Sequence, residues 1–150
     1  MALYLVQHGI SYSKDEDLER KLTNSGAVEV KKIGDVAAQF TVNVSSIKHS
    51  GKKRALQTAV IMAISLDVSD VEELKGMGPN DDVESFVNNN SFEDDIMIIG
   101  HLPFMEKLTS YLVTGNAEMP IVKFQNAGIV CLDKDDDSWI IKWILNPHIN

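Results

Sequence analysis

Two histidines follow apolar runs and sit beside glycine, and a basic cluster lies between them in the chain. The segments are Gln7-His8-Gly9, Lys48-His49-Ser50-Gly51-Lys52-Lys53-Arg54 and Gly100-His101-Leu102-Pro103. A neutral imidazole is a nucleophile near pH 7, because its unperturbed pKa is about 6.5. Glycine lets the backbone approach a ligand closely. The basic segment holds four of the 14 Lys and Arg side chains and no acid, in a chain of net charge −8. A positive spot on a negative protein suggests a small anionic ligand; the plainer alternative is a solvated helix start. Cations at a helix N-terminus oppose the macrodipole unless an anion is present. His49 is a candidate for a supporting role, and His148 has no comparable setting.

These segments need elements to carry them. Ala2 to Val6 is apolar without alternation, as in a strand buried on both faces. Lys14 to Lys21 reads as a charged loop. Thr23 can cap a helix whose stripe is Ala27, Val30, Ile33, Ala37 and Phe40. Val42 to Ile47 suits a second strand. Lys53 to Leu66 suits a second helix, with Ala55, Ala59, Met62, Ala63 and Leu66 inward. A weak strand spans Val71 to Leu74. A short helix starts at Asp81 or Asp82 and runs through Phe86, with Asn88, Asn89 and Asn90 ending it in a loop. Ile96 to Ile99 is a buried strand, and Pro103 opens a helix carrying Phe104, Leu108, Tyr111 and Leu112. Ala127 to Leu132 and Trp139 to Leu145 form a hairpin around Asp133 to Ser138. The order β-α-β-α-β-α-β-α-β-β predicts an open, mainly parallel α/β sheet with helices on both faces, ending in a β-hairpin. Ligands on such sheets bind beyond the carboxyl ends of the strands, where His8, Arg54 and His101 fall.

With 150 residues, 44% hydrophobic and 24% charged, the chain is expected to form one globular domain over 1–150. No apolar run approaches the ~18 residues of a membrane span. The start MALYLVQHG lacks the basic n-region of a signal peptide. The lone Cys131 reads as a reduced core thiol, and the expected compartment is the cytoplasm. With 22 acids against 14 bases, no binding to nucleic acid or an anionic membrane is expected. Asp133, Asp135 and Asp137 begin like a calcium loop, but Ser138 and Ile144 stand where glycine and glutamate are needed. Zinc-type spacing and Gly-rich nucleotide motifs are absent from the sequence, so neither metal nor cofactor is expected.

LYLVQHG, HSGKKRALQTA and IIGHLPFMEKL resemble the three signature segments of the histidine phosphatase superfamily, which has the phosphoglycerate mutase-like fold. The short length, LTNSG at Leu22 to Gly26 and GPNDDV after Gly78 look most like its SixA-type phosphohistidine phosphatases. The resemblance spans essentially the whole chain. It implies that His8 attacks phosphorus to give a phosphohistidine intermediate, that Arg54 clamps phosphoryl oxygens, and that His101 donates a hydrogen bond to them. Gln7, Gly9 and Ser11 would complete the phosphate pocket, although Ser11 is equally an ordinary loop serine. The implied partner is a phosphorylated protein such as a histidine-containing transfer domain.

The chain departs from the family at two places. The family motif is Arg-His-Gly, and Gln7 replaces its arginine. A neutral amide cannot make a forked charged pair, and losing one such donor costs on the order of a hundredfold in rate. Larger relatives carry a glutamate general acid where Pro79 falls here. Asp81 and Asp82 are candidate acids or, more simply, helix caps. A phosphorylated imidazole leaves with less help than an alkyl ester, so a missing acid favours phosphohistidine on proteins. The alternatives are a small-molecule phosphomonoesterase and a phosphate- or phosphoprotein-binding module with weak turnover. On the sequence alone, Gln7→Arg should raise turnover of a phosphohistidine substrate about tenfold, unless the backbone has adapted to glutamine or another cation such as Lys52 already fills the space.

Overall fold

The computed structural model describes residues 1–92 and 95–149. The elements run β1 (Ala2–Gln7), α1 (Asn24–Gln39), β2 (Ser46–His49), α2 (Lys53–Leu66), β3 (Val71–Glu73), α3 (Val83–Asn89), β4 (Ile96–Gly100), α4 (Phe104–Thr114), β5 (Ile129–Asp135) and β6 (Ser138–Leu145). They make one six-stranded sheet in the order β3-β2-β4-β1-β5-β6. The first four of these strands are mutually parallel, and the β5–β6 hairpin joins antiparallel beside β1. Apolar residues on both faces of the central strands make two cores. Val6, Ile47, Met97 and Ile99 pack on one side with Val30, Ile33, Ala55, Ala59 and Met62 from α1 and α2. Leu3, Leu5 and Ile98 pack on the other with Val83, Phe86, Phe104, Met105 and Leu108 from α3 and α4. A strand buried on both faces has no polar alternation, which is why β1 and β4 read as continuous apolar runs.

Helix starts follow side-chain chemistry. Thr23 caps α1 by accepting from the Gly26 N–H at 2.9 Å, and Asp82 caps α3 by accepting from Ser85 N–H at 2.9 Å. The α2 boundaries agree with the expected Lys53 to Leu66. Other expectations are corrected. Phe40 is no part of the α1 stripe: it is the C-cap and 77% exposed. β2 begins only at Ser46, because its ladder to β4 starts at Ser46↔Ile96. α3 continues through Asn89, with Asn90 as C-cap bonding back to the Phe86 carbonyl at 2.8 Å. The hairpin turn is tighter than expected, because Asp133, Lys134 and Asp135 stay in the ladder opposite Ile140, Trp139 and Ser138. Asp136 absorbs the reversal in the left-handed region at φ 54°.

The first turn of α1 must pass close to the backbone that leaves β1. A Cβ on Gly26 would lie 2.1 Å from the Ile10 carbonyl oxygen. Gly26→Ala gains helix propensity of at most ~1 kcal/mol, but the clash is with backbone and cannot be relieved by a rotamer. The variant should lose about 1–3 kcal/mol, the range for forced overpacking. Urea unfolding measures this, and a variant as stable as wild type would show that the approach is less constrained.

Candidate active site

Parallel pairing brings the candidate residues together. Gln7 of β1 lies opposite Gly100 of β4, so His8 and His101 emerge side by side at the carboxyl edge. Their ring centroids are 5.0 Å apart. β2 ends at His49 on the same edge, and its turn delivers Arg54 in the first turn of α2. Gln7, His8, Ser11, Arg54 and His101 line one cleft of about 460 Å³. Arg20, Asn126, Ile10, Pro79 and Leu102 complete its wall. A larger hollow of about 600 Å³ adjoins it beyond Ile10 and Asn126, but that one holds Glu29 and His148 and none of the candidate catalytic side chains.

The hydrogen bonds assign the state of His8. Its Nε2 receives a bond from Arg54 Nε at 3.2 Å. A guanidinium only donates, so Nε2 carries the lone pair and the proton sits on Nδ1. That Nδ1–H donates to the Gly9 carbonyl at 2.7 Å. The unprotonated nitrogen, the one able to attack, therefore faces the arginine and the cleft. Burial pushes the His8 pKa down to about 4, against the opposing hydrogen bond to Gly9, and the nearby Arg54 and Arg20 charges lower it further. His101 is 2% exposed, and burial, then His8 and Arg54, push it down to about 3. Both rings are neutral at pH 7.

His101 Nε2 lies 2.6 Å from Ser50 Oγ. That oxygen also accepts the Lys52 N–H at 3.4 Å. If the hydroxyl gives its own proton to Nε2, Nδ1 of His101 is the protonated nitrogen. Among the described residues, Nδ1 of His101 and Oε1 of Gln7 are buried with no hydrogen-bond partner. Arg54 is itself buried, and no carboxylate among the described residues lies within ion-pair distance of it. Burial and the neighbouring Arg20 lower its pKa. A buried guanidinium, a second one close by and no acid in the wall form a pocket that lacks a counter-anion.

The rest of the Arg54 to Ala59 segment holds the site in place. Thr58 Oγ1 accepts the Gly9 N–H at 3.0 Å and donates to the Arg54 carbonyl at 2.8 Å. Gln57 accepts the Leu22 N–H at 2.8 Å, and Ala55 and Ala59 are fully buried. Asn126 donates to the His8 carbonyl at 2.9 Å from the opposite side.

The glycines act differently from the sequence reading. Gly9 does not line the cleft: a Cβ there would meet Val30 Cγ2 at 2.6 Å, and one on Gly100 would meet Met105 Sδ at 2.7 Å. Both are glycine so that helices can pack against the strand ends. His49 Nδ1 accepts the Gly51 N–H at 3.1 Å, which shapes the turn into α2. His148 pairs with Glu29 at 3.0 Å, outside the cleft. Asp82 is a helix cap, and Asp81 binds the Gly78 N–H at 2.7 Å; neither lines the cleft, whereas Pro79 does. Arg20, Ser50 and Asn126 were missed. The only sequence signals for them were their positions beside Leu22-Thr23, inside the basic segment and before the Ala127 run. Among the described residues, no group of three His, Cys, Asp or Glu could hold a metal ion. Also among them, no helix is long and apolar enough to cross a membrane.

No family model and no curated protein matches the chain. Solved structures do match. The protein histidine phosphatase SixA complexed with tungstate shares 24% identity at a TM-score of 0.84, over 98% of this chain and 97% of that one. The chain has the SixA fold. A putative phosphohistidine phosphatase SixA from Agrobacterium tumefaciens agrees at 22% identity and a TM-score of 0.78, over 97% of each chain. The α-ribazole phosphatase from Shigella flexneri follows at 14% identity and 0.77, over 100% of this chain and 98% of that one. The SixA fold includes the final hairpin, so the expected open α/β architecture holds along the chain.

The depressed histidines make stability depend on pH with a defined sign. Their folded pKa values lie below the unfolded value of about 6.5, so between the two the unfolded chain binds more protons. Stability is therefore full above pH 6.5 and falls as pH drops, toward about 4 for the His8 contribution and about 3 for that of His101. NMR titration of the imidazole C–H signals should show midpoints for His8 and His101 below 5. A midpoint near 6.5 for either ring would contradict the burial and charge argument.

Proposed function

We propose that the protein is a phosphohistidine phosphatase that removes the phosphoryl group from a histidine of a protein substrate. The observation that carries this reading is the His8 Nε2 lone pair, bonded by Arg54 in a cleft with no carboxylate. In the proposed reaction Nε2 attacks phosphorus and the bond to the substrate nitrogen breaks. The departing imidazole takes up a proton from solvent. Water then attacks the phosphorus on His8, releasing inorganic phosphate and the free imidazole. Arg54 and a protonated Nδ1 of His101 offset the charge on the equatorial oxygens, where preorganised donors act most strongly.

The absence of an acid from the wall supports this substrate over an alkyl ester, whose oxygen leaving group needs a proton. The SixA likeness and an open cleft agree with it. The lone buried thiol of Cys131 suits a reducing compartment such as the cytoplasm. Gln7 favours a second reading, a phosphoprotein-binding module with weak turnover, because its neutral amide stands where the family has an arginine.

The test is phosphate release from a phosphorylated histidine-containing transfer domain and from p-nitrophenyl phosphate. The expected kcat/KM is at least ~100-fold higher for the domain, and His8→Ala should lose ~1000-fold or more on both. Faster release from the ester would indicate a small-molecule phosphatase, and retention of the phosphoprotein without release would indicate the binding module. Ser50→Ala removes the bond that orients His101. It should lower kcat about tenfold with KM nearly unchanged, the value of one hydrogen bond of ~1.4 kcal/mol. An unchanged kcat would remove Ser50 from the mechanism.

A further inference from the structure

We infer that Arg20 is the second phosphoryl-binding guanidinium of this cleft, taking over the charge that Gln7 does not supply. The inference rests on the phosphatase reading and adds a ligand to it. Arg20 lines the same cleft as Gln7, His8, Arg54 and His101; Lys52, the cation that the sequence suggested, does not, and lines only a separate hollow of about 590 Å³ that Arg20 and Arg54 also border.

Three features deliver Arg20 there with its charge unspent. First, the loop from Tyr12 to Lys21 is closed at its base: Tyr12 N–H donates to the Lys21 carbonyl at 2.9 Å, and Ser11 bridges Leu22. Second, three of the loop's four acids are engaged elsewhere, Asp15 being the fourth. Glu16 accepts from Ser13 N–H, Asp17 from Lys21 N–H, and Glu19 pairs with Lys53 of α2. Among the described residues no carboxylate is within ion-pair distance of Arg20. Third, Arg20 Nε donates to the Tyr12 carbonyl at 3.4 Å, which leaves the two terminal nitrogens as a fork for an oxyanion. Its backbone is left-handed at φ 52°, a conformation that arginine rarely adopts. The loop therefore aims this side chain at some cost in local preference.

Two like charges gathered beside neutral histidines repel one another until an anion joins them. Arg20 already lowers the proton affinity of His8, Arg54 and His101. Gln7 supplies no positive charge to this pocket, and its buried Oε1 has no hydrogen-bond partner. On this account the chain moves a guanidinium from the strand end to the loop before α1.

The test is binding of inorganic phosphate, followed by calorimetry and by the rise in melting temperature. It needs no turnover, and the variants are wild type, Arg20→Ala, Arg20→Lys, Gln7→Arg and Gln7→Arg/Arg20→Ala. We expect Arg20→Ala to weaken phosphate binding about tenfold or more and Arg20→Lys to retain part of it. Gln7→Arg should restore binding in the Arg20→Ala background while adding little on its own. Binding by Arg20→Ala equal to wild type would overturn the inference and leave the phosphatase reading intact. A loss that neither Arg20→Lys nor Gln7→Arg repairs would also overturn it, by showing that the loop and not the charge was removed. A wild-type protein that binds no phosphate would overturn both readings.

Discussion

β1 and β4 run side by side and parallel, with Gln7 opposite Gly100, so the residues that follow each strand emerge together. Each feature of the cleft depends on that register. A slip by one residue would turn each side chain of the moved strand to the other face and would separate the two imidazoles. The register is held by burial on both faces: Leu3, Leu5, Val6, Ile98 and Ile99 face one core or the other and are essentially unexposed. Gly9 and Gly100 let α1 and α4 close down on the strand ends. Geometry that looks catalytic is therefore a by-product of packing, and only the polar atoms distinguish it from an ordinary sheet edge.

Those polar atoms are arranged with an imbalance. Two histidines are kept neutral by burial and by arginine charge, and a buried guanidinium is left without a carboxylate. Such a cluster is costly in a folded protein unless something negative completes it. A dianionic phosphoryl group would satisfy the arginines and the orphaned Nδ1 of His101, and the imidazole proposed as nucleophile is held by Arg54 and the Gly9 carbonyl. Burial and the arginine charges that depress His8 keep Nε2 unprotonated well below neutral pH.

The sequence reveals the strands and helices whose apolar pattern is local. Uninterrupted β1 and β4 are legible to within a residue, and so is the α2 stripe; the placing of His8, Arg54 and His101 at one sheet edge is legible too, because His8 and His101 follow β1 and β4 and Arg54 lies in the first turn of α2. What the sequence hides depends on contacts between distant segments. Arg20 lies in a run of mixed charges with no period, and it reaches the cleft only because Ser11 and Leu22 close the loop at its base. Ser50 is a serine among lysines until β2 is placed beside β4. The glycines were read as ligand contacts, but their neighbours are side chains of helices that pack from elsewhere in the chain.

The central claim is that the His8 Nε2 attacks phosphorus. The most direct measurement is to mix the protein with a phosphorylated transfer domain, quench within milliseconds in alkali, which phosphohistidine survives, and map the added phosphoryl mass by peptide mass spectrometry. The account predicts the mass on the peptide containing His8, lost again on brief acid treatment. A phosphoryl group on any other residue, or turnover with no labelled protein at any time, would contradict it.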